Sequence, residues 1–512
     1  MKSLVGVQSD KRILTIERIG LVALVLTVGM YLAHALSYRE YTMEDAYISF
    51  RYAENWTRGL GFVFNPGEAV EGYTNFLWVV LLGVLHNFGM QTLLMAKVLG
   101  ISFGIGTLFV TYKLGRLIAP QKNWTSYFAV VLLALYPGFA IWSVAGLETV
   151  LFTFLICLGI WFALLEPNSI WYKYGIVLAL ATLTRPEGLL FFGLVFLNDI
   201  FWSVLRREYD KRTLAHILVN LLPFLLIVGF WQAWRWSFYG YPLPNTFYLK
   251  TASAGPIAIT QGFAYMSGFF NSLGGWLILG LGLLIVVTPS PKQWKTLFFG
   301  IMICWLLYIR QVNGDWMPWY RFFIPVLPLV LLAVQDALAA LVNSAPKFAL
   351  GLGIFLITLG AFGAAYTFRA EASSLAQYGQ EAVAAGKWLH ENAAPNDSIA
   401  VTNAGAIPYY SGLKTLDYYG LLDETISHMP FQKFALDLGD GTKKDFLLRI
   451  DVNWLLDQKP TYFEIPGTLK TDGSLSTYAP LTQVIFTSER FKQEYASQPI
   501  FVNGQEMIFK RK

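Results

Sequence analysis

The chain has 512 residues, of which 55% are hydrophobic and only 14% charged, with a formal net charge of +5. A soluble globular protein carries about 25% charged residues, so a wholly soluble molecule is excluded. Both cysteines, Cys157 and Cys304, lie inside apolar runs, which points to packing rather than to a disulfide or a metal site.

The charge is unevenly spread. From Ala370 onward there are 13 Lys+Arg and 17 Asp+Glu; before it there are 25 and 16. That split suits basic loops on a membrane protein followed by an acidic soluble domain. No nucleic-acid motif accompanies the basic residues, so nucleic acid is not an expected partner.

Long uncharged windows predict transmembrane helices near 16–36, 93–112, 124–142, 147–165, 171–184, 188–204, 213–236, 272–289, 294–310, 322–343 and 347–368. In this count of eleven, the basic clusters before the first span (Lys2, Lys11, Arg12, Arg18) and after the second (Lys113, Arg116, Lys122) and sixth (Arg206, Arg207, Lys211, Arg212) all fall inside. The apolar run Phe76–Leu85 is too short to cross and would reverse that order, so it reads as a helix in the outer interface. The 17 Trp and 27 Tyr fit interfacial belts. Ala33-His34-Ala35 resembles a signal-peptidase site; the expectation is an uncleaved span anchoring the acidic loop after it.

Two domains follow. Residues 1–369 form the membrane domain, with a first outer loop over 37–92, and an odd number of spans puts 370–512 outside the cytoplasm. That tail reads as α/β: a strand at Ser398–Thr402, a turn at Gly405 and a short helix, turns at Asp440-Gly441 and Asn503-Gly504, and strands at Gln483–Thr487 and Glu506–Phe509.

The ionisable residues collect on the outer side of this topology: Glu44 and Asp45, then Glu148, Arg185 and Glu187, and finally Arg310, Asp315 and Arg321. A charge at a span centre costs about 2.5–3.5 kcal/mol on insertion scales. Each has a plain structural alternative. Asp45 suits a helix N-cap or a solvated loop, Glu148 the positive end of a helix dipole, and Arg185, Arg310 and Arg321 interfacial anchoring. The scattered His34, His86 and His216 make no metal set, and no phosphate loop, zinc spacing or nucleophile elbow is present. Taken together, acids beside arginines suit group transfer from a lipid phosphate. A carboxylate accepts the proton of an acceptor hydroxyl, typically worth about 10²–10⁴-fold, and an arginine fork holds the departing phosphate.

The segment Glu44-Asp45-Ala-Tyr-Ile-Ser-Phe-Arg51-Tyr, with Gly59-x-Gly61, Asn65-Pro-Gly67 and Val70-Glu71-Gly-Tyr-Thr-Asn75, resembles the first outer loop of GT-C membrane glycosyltransferases. Thr184-Arg-Pro-Glu-Gly188, Gly314-Asp315-Trp-Met-Pro-Trp-Tyr-Arg321 and Ala404-Gly-Ala-Ile-Pro-Tyr-Tyr-Ser-Gly412 resemble the arabinofuranosyltransferase type within that group. The resemblance implies a polytopic α-helical GT-C fold of about eleven spans with a C-terminal extracytoplasmic α/β domain. It also implies a polyprenyl-phosphate sugar donor, inverting transfer, and Asp45 as the base. Many relatives carry Asp-Asp where this chain has Glu44-Asp45, which leaves open the role of Glu44 and of a divalent cation at that pair.

The expected site is therefore catalytic Asp45 and Glu44, with Arg51, Arg185, Glu148, Asp315 and Arg321 on the donor phosphate and substrate. Expected partners are the polyprenyl-phosphate sugar, with arabinofuranose one candidate, an acceptor glycan, lipid or protein, and membrane lipid. The expected location is the bacterial inner membrane. Two rivals make different predictions. A lipid-linked-sugar flippase or transporter needs charges deep in the spans and near-symmetric halves. A scaffold working through its tail needs the tail alone to function.

Overall fold

The computed structural model describes residues 22–119, 124–165, 173–251, 256–272, 275–366, 369–437, 443–470, 474–477, 479–496, 499–502 and 506–512. The chain divides into two compact units. The first takes the segments up to Arg39, Ala96–Gly229 and Ala254–Ala372; the second takes Glu40–Met95, Phe230–Ser253 and Ser373–Lys512. Residues 40–95 and 230–253 fold with the segment from Ser373 onward.

The first unit is helical. Thr92–Ile118, Gly188–Leu205, Lys211–Tyr239, Leu327–Ser344 and Pro346–Gly363 are each long and apolar enough to cross a bilayer, and Thr125–Leu135 with Pro137–Val144 makes a sixth if the pair is one span bent by 57°. The bend sits at Tyr136, which is extended (ψ 116°) because the following proline ring forbids it the helical region. Leu327–Ser344 is buried over most of its length and packs against Phe128–Leu135, Gly275–Leu283 and Pro346–Tyr366, so it is the spine of this unit. Of the other expected spans, Val22–Leu36, Thr149–Leu165 and Leu277–Val287 are apolar helices of 10–17 residues, and Lys292–Gln311 is a 20-residue helix. Tyr174–Thr184 has eleven residues, about 17 Å at 1.5 Å per residue, little more than half a hydrocarbon core. One helix, Pro256–Asn271, was not expected from hydropathy.

The second unit is built on a five-stranded sheet whose order is Lys414–Asp417 (β2), Ser398–Val401 (β1), Tyr462–Glu464 (β5), Glu506–Lys510 (β9) and Ile500–Val502 (β8). β1 lies parallel to β2 and β5, while β9 runs antiparallel to β5 and β8. β3 (Gln432–Asp437) and β4 (Lys443–Leu448) form a hairpin, and β6 (Thr468–Leu469) pairs with β7 (Leu475–Ser476). Ala400, Tyr418, Phe463, Ile485, Phe491 and Phe509 are among the core residues. The segment 483–487, expected as a strand, lies in the helix Pro480–Thr487: Pro480 occupies the first turn, where its fixed φ favours helix and its missing N–H costs nothing. The turns at 440–441 and 503–504 lie outside the described residues.

Residues 40–95 supply this unit with the helix Ala46–Thr57, packed on Phe76–Asn87 and on Ala406–Ser411. Phe76–Asn87 has twelve residues, about 18 Å long, too short to cross as expected.

Candidate functional site

In the second unit, Asp45 stands at the N-cap position of Ala46–Thr57, partly exposed, and its carboxylate makes no capping hydrogen bond to that helix. The N-cap alternative therefore does not account for it. Tyr419 lies in the electrostatic field of both Asp45 and Asp417; desolvation first, then these two charges, raise its hydroxyl above the ordinary tyrosine value. Asp417 ends β2, is 1% exposed, and accepts backbone N–H bonds from Tyr419 (2.9 Å), Gly420 (3.3 Å) and Leu422 (2.9 Å). Burial pushes its carboxyl up to about 7, against the pull of those donors. The sequence reading did not single out Asp417; nothing local to Lys414–Asp417 marks it.

Glu44 has a structural partner. Its Oε1 accepts the backbone N–H of Gly405 and of Ala406, both at 2.8 Å, which satisfies the first amides of Ala406–Ser411. A Cβ at Gly405 would come within 2.2 Å of the Glu44 carbonyl oxygen, so glycine is required at that contact. Among the described residues no group of three or more His, Cys, Asp or Glu side chains is arranged to hold a metal ion. With one Glu44 oxygen already held by two amides, the pair Glu44–Asp45 is a poor fit to a divalent cation.

Arg51, expected on the donor, is a brace inside the second unit. Nε donates to Phe64 O (2.9 Å), Nη1 to Pro408 O (2.8 Å) and Thr415 Oγ1 (3.4 Å), and Nη2 to Leu413 O (2.8 Å) and Asn65 Oδ1 (3.4 Å). A guanidinium has five N–H donors, and none remains for a phosphate. Burial lowers its pKa to about 10, which leaves it charged at neutral pH.

In the first unit, the other expected residues come together. Arg185 donates from Nη1 to Glu148 Oε1 (2.7 Å) and from Nη2 to Glu187 Oε1 (2.9 Å). The Tyr308 hydroxyl donates to the same Glu187 oxygen at 2.7 Å. Burial opposes ionisation of Glu187, but the Arg185 guanidinium and the two hydrogen bonds prevail and hold it at about 2. Arg321 Nε donates to Asp315 Oδ2 at 2.6 Å. The guanidinium carbons of Arg185 and Arg321 each lie 5.6 Å from the centre of the Phe322 ring, so the two cations neighbour one aromatic side chain.

The two arginines differ in what they leave open. Arg185 has both Nη atoms on carboxylates. Arg321 is anchored through Nε alone, and among the described residues its two Nη atoms make no hydrogen bond. The loop holding it is strained: Asn313 (φ 68°), Trp319 (φ 59°) and Tyr320 (φ 53°) are three of the five non-glycine residues with positive φ among those described. Such clusters persist only where surrounding structure over-determines them. Here Tyr265 accepts the Phe322 N–H (3.1 Å), Trp305 Nε1 donates to Phe322 O (2.7 Å), and Trp319 Nε1 donates to Glu371 (2.8 Å). Tyr308 and Tyr265 were not singled out from sequence: Tyr308 lies in an expected span and Tyr265 in a helix that hydropathy does not mark.

The fold is similar to that of a solved oligosaccharyltransferase. The Archaeoglobus fulgidus oligosaccharyltransferase tethered with an acceptor peptide containing the NVT sequon matches with a TM-score of 0.51 at 11% identity, over 95% of this chain and 88% of its own. The apo form of that enzyme also gives 0.51, at 13% identity over 78% of this chain and 64% of its own. In sequence the chain is arabinofuranosyltransferase-like. It is 27% identical over 270 residues to the terminal beta-(1->2)-arabinofuranosyltransferase of Mycobacterium tuberculosis, covering 48% of this chain and 41% of the relative. It is 24% identical over 361 residues to the enzyme of the same name in Corynebacterium glutamicum, covering 60% and 49%. The match thus spans less than half the length of either curated relative. Residues 371–502 match a domain of unknown function, DUF8728.

Proposed function

We propose that this protein is an inverting glycosyltransferase that moves a sugar from a polyprenyl-phosphate donor to an acceptor hydroxyl on the outer face of the inner membrane. The observation that carries the reading is the Arg321 guanidinium: buried, fixed at Nε by Asp315, with both Nη donors uncommitted among the described residues. That is the fork a phosphate oxygen pair accepts in two parallel hydrogen bonds. Asp45, partly exposed and not used as a cap, takes the acceptor proton as the new glycosidic bond forms. The donor's anomeric C–O bond breaks with its electron pair on the lipid phosphate, whose charge Arg321 neutralises. Arg185, bracketed by Glu148 and Glu187, positions the surrounding wall; a phosphate beside two carboxylates is disfavoured. The similarity to two terminal arabinofuranosyltransferases supports arabinofuranose as the sugar.

The test is release of lipid phosphate from a panel of polyprenyl-phosphate sugars by the purified chain with glycan, lipid and protein acceptors. Asp45→Asn is expected to fold normally and lose about 10²–10⁴-fold in kcat. Arg321→Lys keeps the charge but not the fork and is expected to raise the donor KM about tenfold. Full transfer by a folded Asp45→Asn protein removes the base assignment. Donor crossing the bilayer with no lipid phosphate released would favour the flippase.

A further inference from the structure

Two buried charges in the second unit, Glu71 and Arg235, take no part in the roles above. Glu71 is 5% exposed and Arg235 2%. Arg235 donates from Nε to both Glu71 oxygens (3.0 and 3.1 Å) and from Nη2 to Oε2 (2.5 Å). Its Nη1 donates to Gln232 Oε1 (2.9 Å) and Pro242 O (2.8 Å), so every side-chain nitrogen is bonded.

Such a pair is a poor source of stability. Taking two charges out of water costs about as much as their attraction returns, and apolar replacements of similar volume are often neutral or better. Here burial raises the Glu71 carboxyl above its ordinary value, and the Arg235 guanidinium offsets only part of that rise. What a guanidinium fork on a carboxylate does fix is geometry.

The residues on either side of Glu71 grip the helix Ala46–Thr57. The Tyr52 hydroxyl donates to Val70 O (2.6 Å) and accepts the Gly72 N–H (3.0 Å). Tyr52 is fully buried, and its ring lies 4.6 Å from that of Tyr73. A Cβ at Gly72 would lie 2.1 Å from Leu422 Cδ2 and 3.2 Å from the Tyr52 hydroxyl, so only glycine fits between them. Tyr239, one helical turn after Arg235, holds the same segment. Its proton goes to Phe62 O (2.8 Å), so the Tyr73 hydroxyl donates to it (3.1 Å). Asn55, donating to Val63 O and Phe64 O at 2.9 Å, adds a further tie between helix and segment. Asp45 precedes this helix without a capping bond to it, so where the helix stands decides where its carboxylate stands.

We propose that Glu71 and Arg235 are positioning residues for Asp45: the ion pair fixes residues 70–72, these fix the Tyr52 hydroxyl, and Tyr52 sets the helix that Asp45 precedes. This deepens the transferase reading given above and rests on Asp45 as its base. A base displaced by about 1 Å costs about 10²-fold in rate.

The test uses the full chain in nanodiscs, with a polyprenyl-phosphate arabinofuranose as donor and an octyl arabinofuranoside as acceptor probe. Glu71→Leu with Arg235→Met removes both charges together. This double variant is expected to melt close to the parent. It is expected to lose about 10²-fold in kcat while both KM values stay within about twofold. Tyr52→Phe leaves the ion pair and takes away the hydroxyl, and is expected to lose kcat likewise. Added to the double variant, it is expected to cost no more than about threefold further, because both changes break one linkage. Arg235→Lys, which keeps the charge but not the fork, is expected to lie between. A folded double variant or a folded Tyr52→Phe with the parent's kcat overturns the proposal, as do losses that multiply in full when the changes are combined. Hydrogen exchange reads the same linkage without turnover. Amides of residues 46–50 are expected to exchange about tenfold faster in Tyr52→Phe and in the double variant, and equal exchange overturns the proposal. If the parent releases lipid phosphate from no donor, the transferase reading falls, while faster exchange in the variants still establishes the hold of the pair on this helix.

Discussion

Arg51 and Arg321 carry the same functional group and different roles, and only their partners separate them. Arg51 gives its five N–H groups to Phe64, Asn65, Pro408, Leu413 and Thr415 within one unit. Hydrogen bonds to a charged group contribute about 1.5–3 kcal/mol each. Arg51→Ala is therefore expected to lower stability by about 3 kcal/mol or more, read as a drop in melting temperature and yield. A folded Arg51→Ala protein of unchanged stability but raised donor KM would restore the substrate role. Asp417 gives a pH signature. Its carboxyl is near 7 when folded, raised by burial, against an ordinary value near 3.8. The folded state thus holds the proton more tightly. The stabilisation is complete below about pH 4, decays as pH rises, and is lost above about pH 7. Melting of the full chain between pH 5 and pH 8 is expected to shift downward, and Asp417→Asn, permanently neutral, is expected to flatten that slope. A slope unaltered in Asp417→Asn would assign the pH response elsewhere.

At the scale of elements, the loop from Asn313 to Arg321 shows what a motif string does not convey. Gly314 has φ 76°, and a Cβ there would lie 2.6 Å from the Cβ of Tyr265. Gly314→Ala combines left-handed strain with that clash, at roughly 2 kcal/mol. It is expected to displace the turn carrying Asp315 and to raise the donor KM more than it lowers the melting temperature; a kinetically silent Gly314→Ala would show that the loop tolerates displacement. The helix Pro480–Thr487 teaches a related lesson. Its β-branched and aromatic run reads as strand, yet Pro480 and the core contacts of Leu481 and Ile485 fix it as helix. Tertiary packing outweighs propensities worth a few tenths of a kcal/mol per residue.

For the whole molecule, the second unit joins three stretches far apart in sequence: 40–95, 230–253 and 373–512. A chain ending at Ala372 loses the sheet and with it the acceptors of Arg51 and the amides held by Glu44. Such a truncation is expected to insert in the membrane yet expose the 40–95 loop to protease and show no transfer. Protection of that loop in the truncated chain would show that it folds alone.

The amino-acid order by itself was enough to indicate a membrane protein and its basic-then-acidic division. Hydropathy, charge and a contiguous motif are local quantities, each summed over neighbours in the chain. It was also enough to locate the strands at 398–401 and 506–510 and the helix after Gly405, where turn residues sit beside short apolar runs. Tertiary structure alone decided which cation is a brace and which an open fork, because three of the five groups that saturate Arg51 lie some 360 positions away along the chain. It likewise decided that Glu44 caps a helix while Asp45 stays clear of its own. A hydrogen bond depends on distance and angle in space, and sequence separation carries neither.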